Sequence, residues 1–356
     1  MSSDPPNWLP HLVALIVLLA AAVITVFPAR RGADLLLMIE GVTVVLILLI
    51  SAVVMYRIST GHGPQGQEFT LSVFRPAEGT GTSALFLGAV FGFLAFAGFE
   101  SAATLGEEAR APRRTIPRAV IGTVLIGGVF YIVTSAVEVM GFGIRASDLA
   151  RLHTSGSLYG DLGGTYLSAW VGDIVTVGTT VSALGGAIGC LIGASRMLLS
   201  LSRAATTKDT VVTRVSKRYG TPVGAVGVAS AVMLVSVVVF GWVARVPVAL
   251  PWAWIGTVGT LIVLVVYLLA TATVGAAGML LRTRRVPRWE LVIPAASVAV
   301  LGYTLYRNVV PYPTGAAFWL PITAGAWIAV ALAAVLLSPA LVRRIGRRLT
   351  EEEGLA

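Results

Sequence analysis

The chain has 356 residues, of which 56% are hydrophobic and only 12% charged, and it carries a net charge of +9. Soluble domains hold roughly 25% charged residues, so a water-soluble globule is excluded and this much apolar surface needs lipid around it. A pI near 10.2 raises nucleic-acid binding as a reading, but the basic residues fall in short loops between apolar runs, where membrane topology accounts for them and no nucleic-acid partner is implied.

The apolar runs between polar breaks are mostly long enough to cross a bilayer, since about 20 helical residues span a ~30 Å hydrocarbon core. They predict nine membrane helices, near residues 9–27, 33–56, 83–105, 119–143, 165–199, 222–244, 252–281, 291–309 and 317–338. A membrane β-barrel would show alternating segments of about ten residues, whereas these runs are continuously apolar. The fold class is therefore all-α integral membrane.

In chain order, residues 1–8 contain Asp4 and no Lys or Arg, so they lack the basic start of a signal peptide. The second span carries Glu40 about two helical turns from its inner end, deep enough to pair with a basic residue or to accept a proton. The third contains Gly88, Gly92 and Gly98 and then an acid, Glu100. A dense loop follows, with Glu107, Glu108, Arg113, Arg114 and Arg118; it reads either as a solvated loop or as an inner gate that closes by salt bridges. Thr115 before Ile116 and Pro117 fits a helix start.

Glu138 in the fourth span and Asp173 in the fifth lie near outer helix ends and read as hydrated interfacial acids. Cys190, the single cysteine, excludes an intrachain disulfide framework and a cysteine-rich metal site. Thr257, Thr260 and Tyr267 put hydroxyls on the seventh span, where they read as bonds between helices. Trp252, Trp254, Trp289 and Trp319 lie near span ends and read as interfacial anchors.

Orientation follows from Lys and Arg, which cytoplasmic loops retain. Twenty of the 26 lie on one side, in the groups around Arg30, Arg110 to Arg118, Arg203 to Arg218, Arg282 to Arg288 and Arg343 to Arg348, with Arg196 at a helix end. The other six are Arg57, Arg75, Arg145, Arg151, Arg245 and Arg307. The bias places the C-terminus in the cytoplasm and, with nine spans, the N-terminus outside a cell membrane crossed many times.

Enzyme signatures are missing. His11, His62 and His153 lie in or beside separate loops and read as solvated residues, and neither H-E-x-x-H nor G-x-S-x-G occurs. An intramembrane hydrolase is the weaker reading, and no cofactor or metal is expected. The glycines of the third span allow two readings. They permit close helix packing, or, beside an intramembrane acid, they mark a broken helix of the kind that builds transporter binding sites.

The run GFESAATLGEEARAPRRTIPRA, from Gly98 to Ala119, resembles the sixth helix and following cytoplasmic loop of amino-acid permeases in the amino acid, polyamine and organocation superfamily. ASRMLLSLSRA, from Ala194 to Ala204, resembles the end of that family's eighth helix, and Gly220 to Pro222 the start of its ninth. One departure is Ala204 and Ala205 after Arg203, where the family often continues Arg-Asp-Gly.

The resemblance implies a LeuT-like inverted-repeat transporter fold, with the nine spans matching family helices four to twelve in a single permease domain. Residues 9–56 would be the last two helices of the first repeat, 83–281 the second repeat, 291–338 two peripheral helices and 339–356 a cytoplasmic tail. It also implies that the substrate ammonium meets backbone at Leu94, Ala95, Phe96 and Ala97, that Leu94 points into the pocket, and that Gly98 permits the break. Glu100 would couple proton or amine binding to the transport cycle, with Glu40 next in line.

The implied function is secondary active transport of amino acids or related amines, proton-coupled, with amine substrate, proton and membrane lipid as partners. The family's carboxylate-binding first helix has no counterpart here. The expectation is an N-terminally truncated permease that needs a polypeptide supplying the missing helices, or else a transport-inactive permease-like protein.

Overall fold

The computed structural model describes residues 8–27, 29–76, 79–96, 98–99, 111–206, 210–239, 249–280 and 291–352. They are helical almost throughout, in twelve α-helices: α1 (Leu9–Val26), α2 (Ala29–Ser59), α3 (Thr82–Phe96), α4 (Pro112–Phe142), α5 (Ala146–Thr154), α6 (Leu158–Tyr166), α7 (Ala169–Ala205), α8 (Val223–Val238), α9 (Ala249–Leu280), α10 (Val292–Val309), α11 (Trp319–Leu337) and α12 (Pro339–Glu352). Among the described residues six helices, α1, α2, α4, α7, α9 and α11, contain stretches long and apolar enough to cross a bilayer, and α3 and α8 are shorter apolar helices. The chain divides into two compact units, residues 1–76 with 98–238, and residues 77–97 with 239–356.

In the first unit α7 is the axis, packed by α1, α2, α6 and α8, while α4 lies on α2 and α6. Its main core joins Ile50, Val54 and Ile58 of α2, Val137 and Met140 of α4, Tyr159, Leu162 and Tyr166 of α6, and Val171 and Val175 of α7. A smaller core joins Leu191 of α7 to Val226 and Ala229 of α8, with Ala22 and Val26 of α1 against it. These contacts rely on small residues, as expected where lipid removes the hydrophobic drive between helices. A Cβ on Gly163 would come within 3.2 Å of the N and Cα of Gly172, and one on Gly178 within 2.6 Å of Thr43 Oγ1. Outward, large apolar side chains such as Leu125, Ile126, Val129 and Val177 are exposed, a surface that only lipid can cover.

The second unit packs α9 against α3, α10 and α11, and α10 also against α3. Asn308, 6% exposed, donates from Nδ2 to the carbonyls of Phe86 on α3 (3.1 Å) and Thr304 on its own helix (2.8 Å). Phe86 meets Tyr303 edge-on with ring centroids 4.5 Å apart.

Several expectations need correction. The fourth membrane helix begins at Pro112, with Ala111 as its cap, rather than at Thr115. Pro112 takes the first helical position, where its missing N–H is harmless, and Pro117 is drawn inside the helix. The fifth span starts at Ala169 because Ser168 is extended, at φ −166° and ψ 155°; residues 165 and 166 end the separate α6, and α7 runs on to Ala205. His11 is not a solvated loop residue: it lies in the first turn of α1 and is 5% exposed. His62 and His153 are exposed, as expected.

Thr257 and Thr260 do not bond helix to helix through their hydroxyls. Thr257 Oγ1 donates to Ala253 O (2.7 Å) and Thr260 Oγ1 to Gly256 O (2.8 Å). Thr25, Thr43, Thr134, Thr304 and Thr323 likewise donate to the carbonyl four residues back. A hydroxyl in an apolar medium needs an acceptor, and the nearest one belongs to its own helix.

Candidate substrate site

The segment that carries the site expectation begins as α3, whose run of Ala, Leu, Phe and Val gives an apolar helix without polar interruption. The helix stops at Phe96, and Gly98 adopts φ +108°. That backbone region is closed to most side chains because of their Cβ, so glycine is what allows the chain to turn there. A helix end also turns the carbonyls of its last turn toward groups outside the helix, and here the end falls inside the apolar run that the sequence predicted as one span to residue 105.

Within the second unit the C-terminal half of α3 is fixed to α9. Phe91 stacks on Trp252 with ring centroids 6.2 Å apart and planes inclined by 21°. Leu94 runs toward Gly256, where an added Cβ would lie 2.7 Å from Leu94 Cδ2. The side chain expected to point into a pocket is therefore seated at a glycine of the neighbouring helix, half-buried. Ala95 is exposed, while Phe96 and Gly98 are half-buried. Ala97, Glu100, Glu107 and Glu108 lie outside the described residues, as does Trp289, and the side chain of Arg113 is likewise outside them. Arg114 and Arg118 are exposed in the first two turns of α4.

Glu40 is half-buried on α2. Helical spacing puts it on the same stripe as Thr43, Ile47, Ile50 and Val54, the stripe that Thr43 turns toward Gly178 of α7. A carboxylate on that stripe is one turn from a helix contact without room for an added methyl group. Asp173 is exposed, as its interfacial reading implies.

Sequence reasoning missed a polar cluster in the first unit. Tyr159 of α6 shares a hydrogen bond of 2.8 Å with Ser51 Oγ of α2 and donates to Thr134 O of α4 at 3.4 Å. Burial pushes its hydroxyl up to about 12; the Ser51 hydrogen bond opposes this and the Glu138 charge adds to it. Tyr166, 0% exposed, donates to Gly141 O at 2.9 Å. Burial pushes it to about 12 as well, against the lowering effect of Arg57. Glu138 thus stands half-buried beside a tyrosine rather than fully hydrated. The available signal was two tyrosines at a spacing of seven, Tyr159 in the stretch read as a loop and Tyr166 at the start of the predicted fifth span.

Near the end of α7, Thr221 Oγ1 donates to Val26 O at the end of α1 (2.8 Å), and Gly220 turns at φ +67°. The Gly-Thr-Pro stretch thereby ties the start of α8 to α1, and α8 begins at Val223 directly after it.

Uncharacterized transporters of Mycobacterium bovis and of two strains of Mycobacterium tuberculosis are each 37% identical over 115 residues, which is 31% of this chain and 24% of each relative. The chain thus spans about a quarter of the length of the curated relatives it matches. The sequence model described as amino acid permease matches residues 1–342. With apolar helices to cross a bilayer several times, a glycine turn within the third apolar run and a family match over nearly its whole length, the chain is a multi-pass membrane protein that belongs to the amino acid permease family.

Proposed function

We propose that this protein takes part in secondary active transport of amino acids or related amines across the cytoplasmic membrane, coupled to protons. The observation that carries the reading is the end of α3 at Phe96 with Gly98 at φ +108°, inside an apolar run of a permease-family chain. Backbone from Leu94 to Gly98 meets the substrate ammonium, because carbonyls at a helix end are oriented acceptors for a cation. Glu100, two residues past the turn, exchanges the proton, since an ionisable residue within a membrane segment is retained at a cost and serves pathways of this kind. Glu107, Glu108, Arg113, Arg114 and Arg118 form the inner gate, on the cytoplasmic side with the C-terminus.

The test is uptake of a radiolabelled amino-acid mixture into liposomes under an imposed proton gradient. It is run with the chain alone and with a co-expressed fragment carrying three further helices of the first repeat. Saturable, gradient-driven uptake in either arm is expected, with Glu100→Gln losing accumulation more than binding. Absence of uptake in both arms overturns the transport reading. Accumulation by Glu100→Gln that follows the gradient with unchanged slope would move coupling to Glu40.

A further inference from the structure

The chain does not leave the membrane as an irregular tail. After α11 ends at Leu337, a single residue, Ser338, separates it from Pro339, the first residue of α12. α12 has the sequence PALVRRIGRRLTEE. At 3.6 residues per turn, Leu341, Val342, Ile345 and Leu349 fall on one stripe of the helix, Arg343, Arg344 and Arg347 on the other side, and Arg348 at the border beside Leu341. Helices of this composition, apolar on one side and arginine-rich on the other, lie in the plane of a membrane interface. In the structure the apolar stripe is open at Val342, which is 39% exposed, and Arg343, Arg344 and Arg347 are exposed too. The main packing partner of α12 is α11, whose last residues Val335, Leu336 and Leu337 are themselves exposed and apolar.

We propose that α12 is a membrane-surface helix that binds anionic phospholipid. Two observations choose this occupant. The helix starts one residue beyond a membrane-crossing helix, which holds it at headgroup level. Its charge is complementary to an anionic surface, with four arginines against Glu351 and Glu352 at its far end, and juxtamembrane arginines are attracted to such lipids. Leu341, Val342, Ile345 and Leu349 enter the boundary between headgroups and acyl chains, and the arginines reach the phosphates. The inference uses only the membrane-crossing reading of α11, so it stands or falls separately from transport.

The experiment uses the full chain with Cys190→Ser, carrying a spin label at Val342→Cys or at Ala340→Cys, which falls on the arginine side. The protein is placed in nanodiscs of phosphatidylcholine alone or of phosphatidylcholine with phosphatidylglycerol. Label accessibility is measured to oxygen, which partitions into lipid, and to a water-soluble nickel chelate. With phosphatidylglycerol the Val342 site should be open to oxygen and protected from nickel, and the Ala340 site the reverse. Without it, or at high salt, the Val342 site should become accessible to nickel. Replacing Arg343, Arg344, Arg347 and Arg348 by Gln should remove the difference between the two lipid compositions, each arginine contributing about fivefold to the surface-bound population. A Val342 label equally open to nickel in both compositions overturns the proposal. So does one protected from both reagents, which would place the stripe against protein, or one protected from nickel in both compositions and indifferent to the four substitutions.

Discussion

Gly178 of α7 faces Thr43 of α2 so closely that all three side-chain heavy atoms of the threonine would press on an added methyl. Cβ of an alanine would lie 2.6 Å from Oγ1, 3.2 Å from Cγ2 and 3.4 Å from Cβ. The threonine cannot easily turn away. It is buried at 4% exposure, its branched side chain has few helical rotamers, and Oγ1 is bonded to Ile39 O at 2.9 Å. Gly178→Ala must therefore separate α2 from α7 or break that hydrogen bond, and overpacking of this kind costs about 1–3 kcal/mol. The intrinsic helix preference of alanine offsets about 1 kcal/mol of it. Gly186→Ala on the same helix meets nothing within 4 Å and keeps only the favourable part. The two variants should thus differ by about 1–3 kcal/mol, read as the difference in unfolding midpoint when purified protein in mild detergent is titrated with dodecyl sulfate and followed by circular dichroism. In a Thr43→Ala background the nearest contact is the 3.4 Å one to Cβ, and the penalty should vanish. Equal midpoints for Gly178→Ala and Gly186→Ala, or a penalty that survives in the Thr43→Ala background, would refute the reasoning.

Tyr159 and Tyr166 are both pushed from 10.0 to about 12, so between those values the unfolded state loses protons that the folded state keeps, and stability falls as pH rises through that window. Tyrosinate absorbance should show ionisation near 12 from these two residues, and Tyr166→Phe should remove part of it. Asn308→Ala should cost about 1–2 kcal/mol in the same detergent titration, because it withdraws the donor that joins α10 to Phe86 O of α3. Thr260→Val should stay within about 0.5 kcal/mol, since its hydroxyl serves its own helix, whereas Ser51→Ala should lose about 1 kcal/mol with the bond to Tyr159. In a background lacking Cys190, cysteines at Thr60 and His153 should react with an impermeant thiol reagent on intact cells and one at Gly354 should not; the opposite pattern would invert the proposed orientation.

The positions of the apolar helices were legible because arginine clusters and glycine or proline punctuate runs that are otherwise continuously apolar. The turn at Gly98 was legible for the same reason that it exists, because a glycine without Cβ can adopt φ +108°. The start of α4 was misplaced because Pro112 and Pro117 both satisfy the rule for a first helical turn, and local chemistry does not choose between them. Helices α5 and α6 were hidden in a polar connection, since nine-residue helices carry too few turns for a period to show. His11 was misread because a helix's first turn and the loop before it have the same composition; only its packing decides burial. The Leu94 side chain illustrates a deeper limit: which face of an apolar helix meets a neighbour depends on a glycine 162 residues later, at Gly256.

The back-bonded threonines bear on how such a chain reaches its membrane. The Thr25, Thr260 and Thr304 hydroxyls are each held by the carbonyl four residues before, so none of the three has to wait for a later helix before its polar demand is met in the bilayer. Tyr159 and Asn308 are different, because their partners Ser51 and Phe86 lie 108 and 222 residues earlier in the chain. The Tyr159 bond can form only once α6 has reached α2, about halfway along the chain, and the Asn308 bond only once α10 has reached α3, so the second belongs to a late step of assembly.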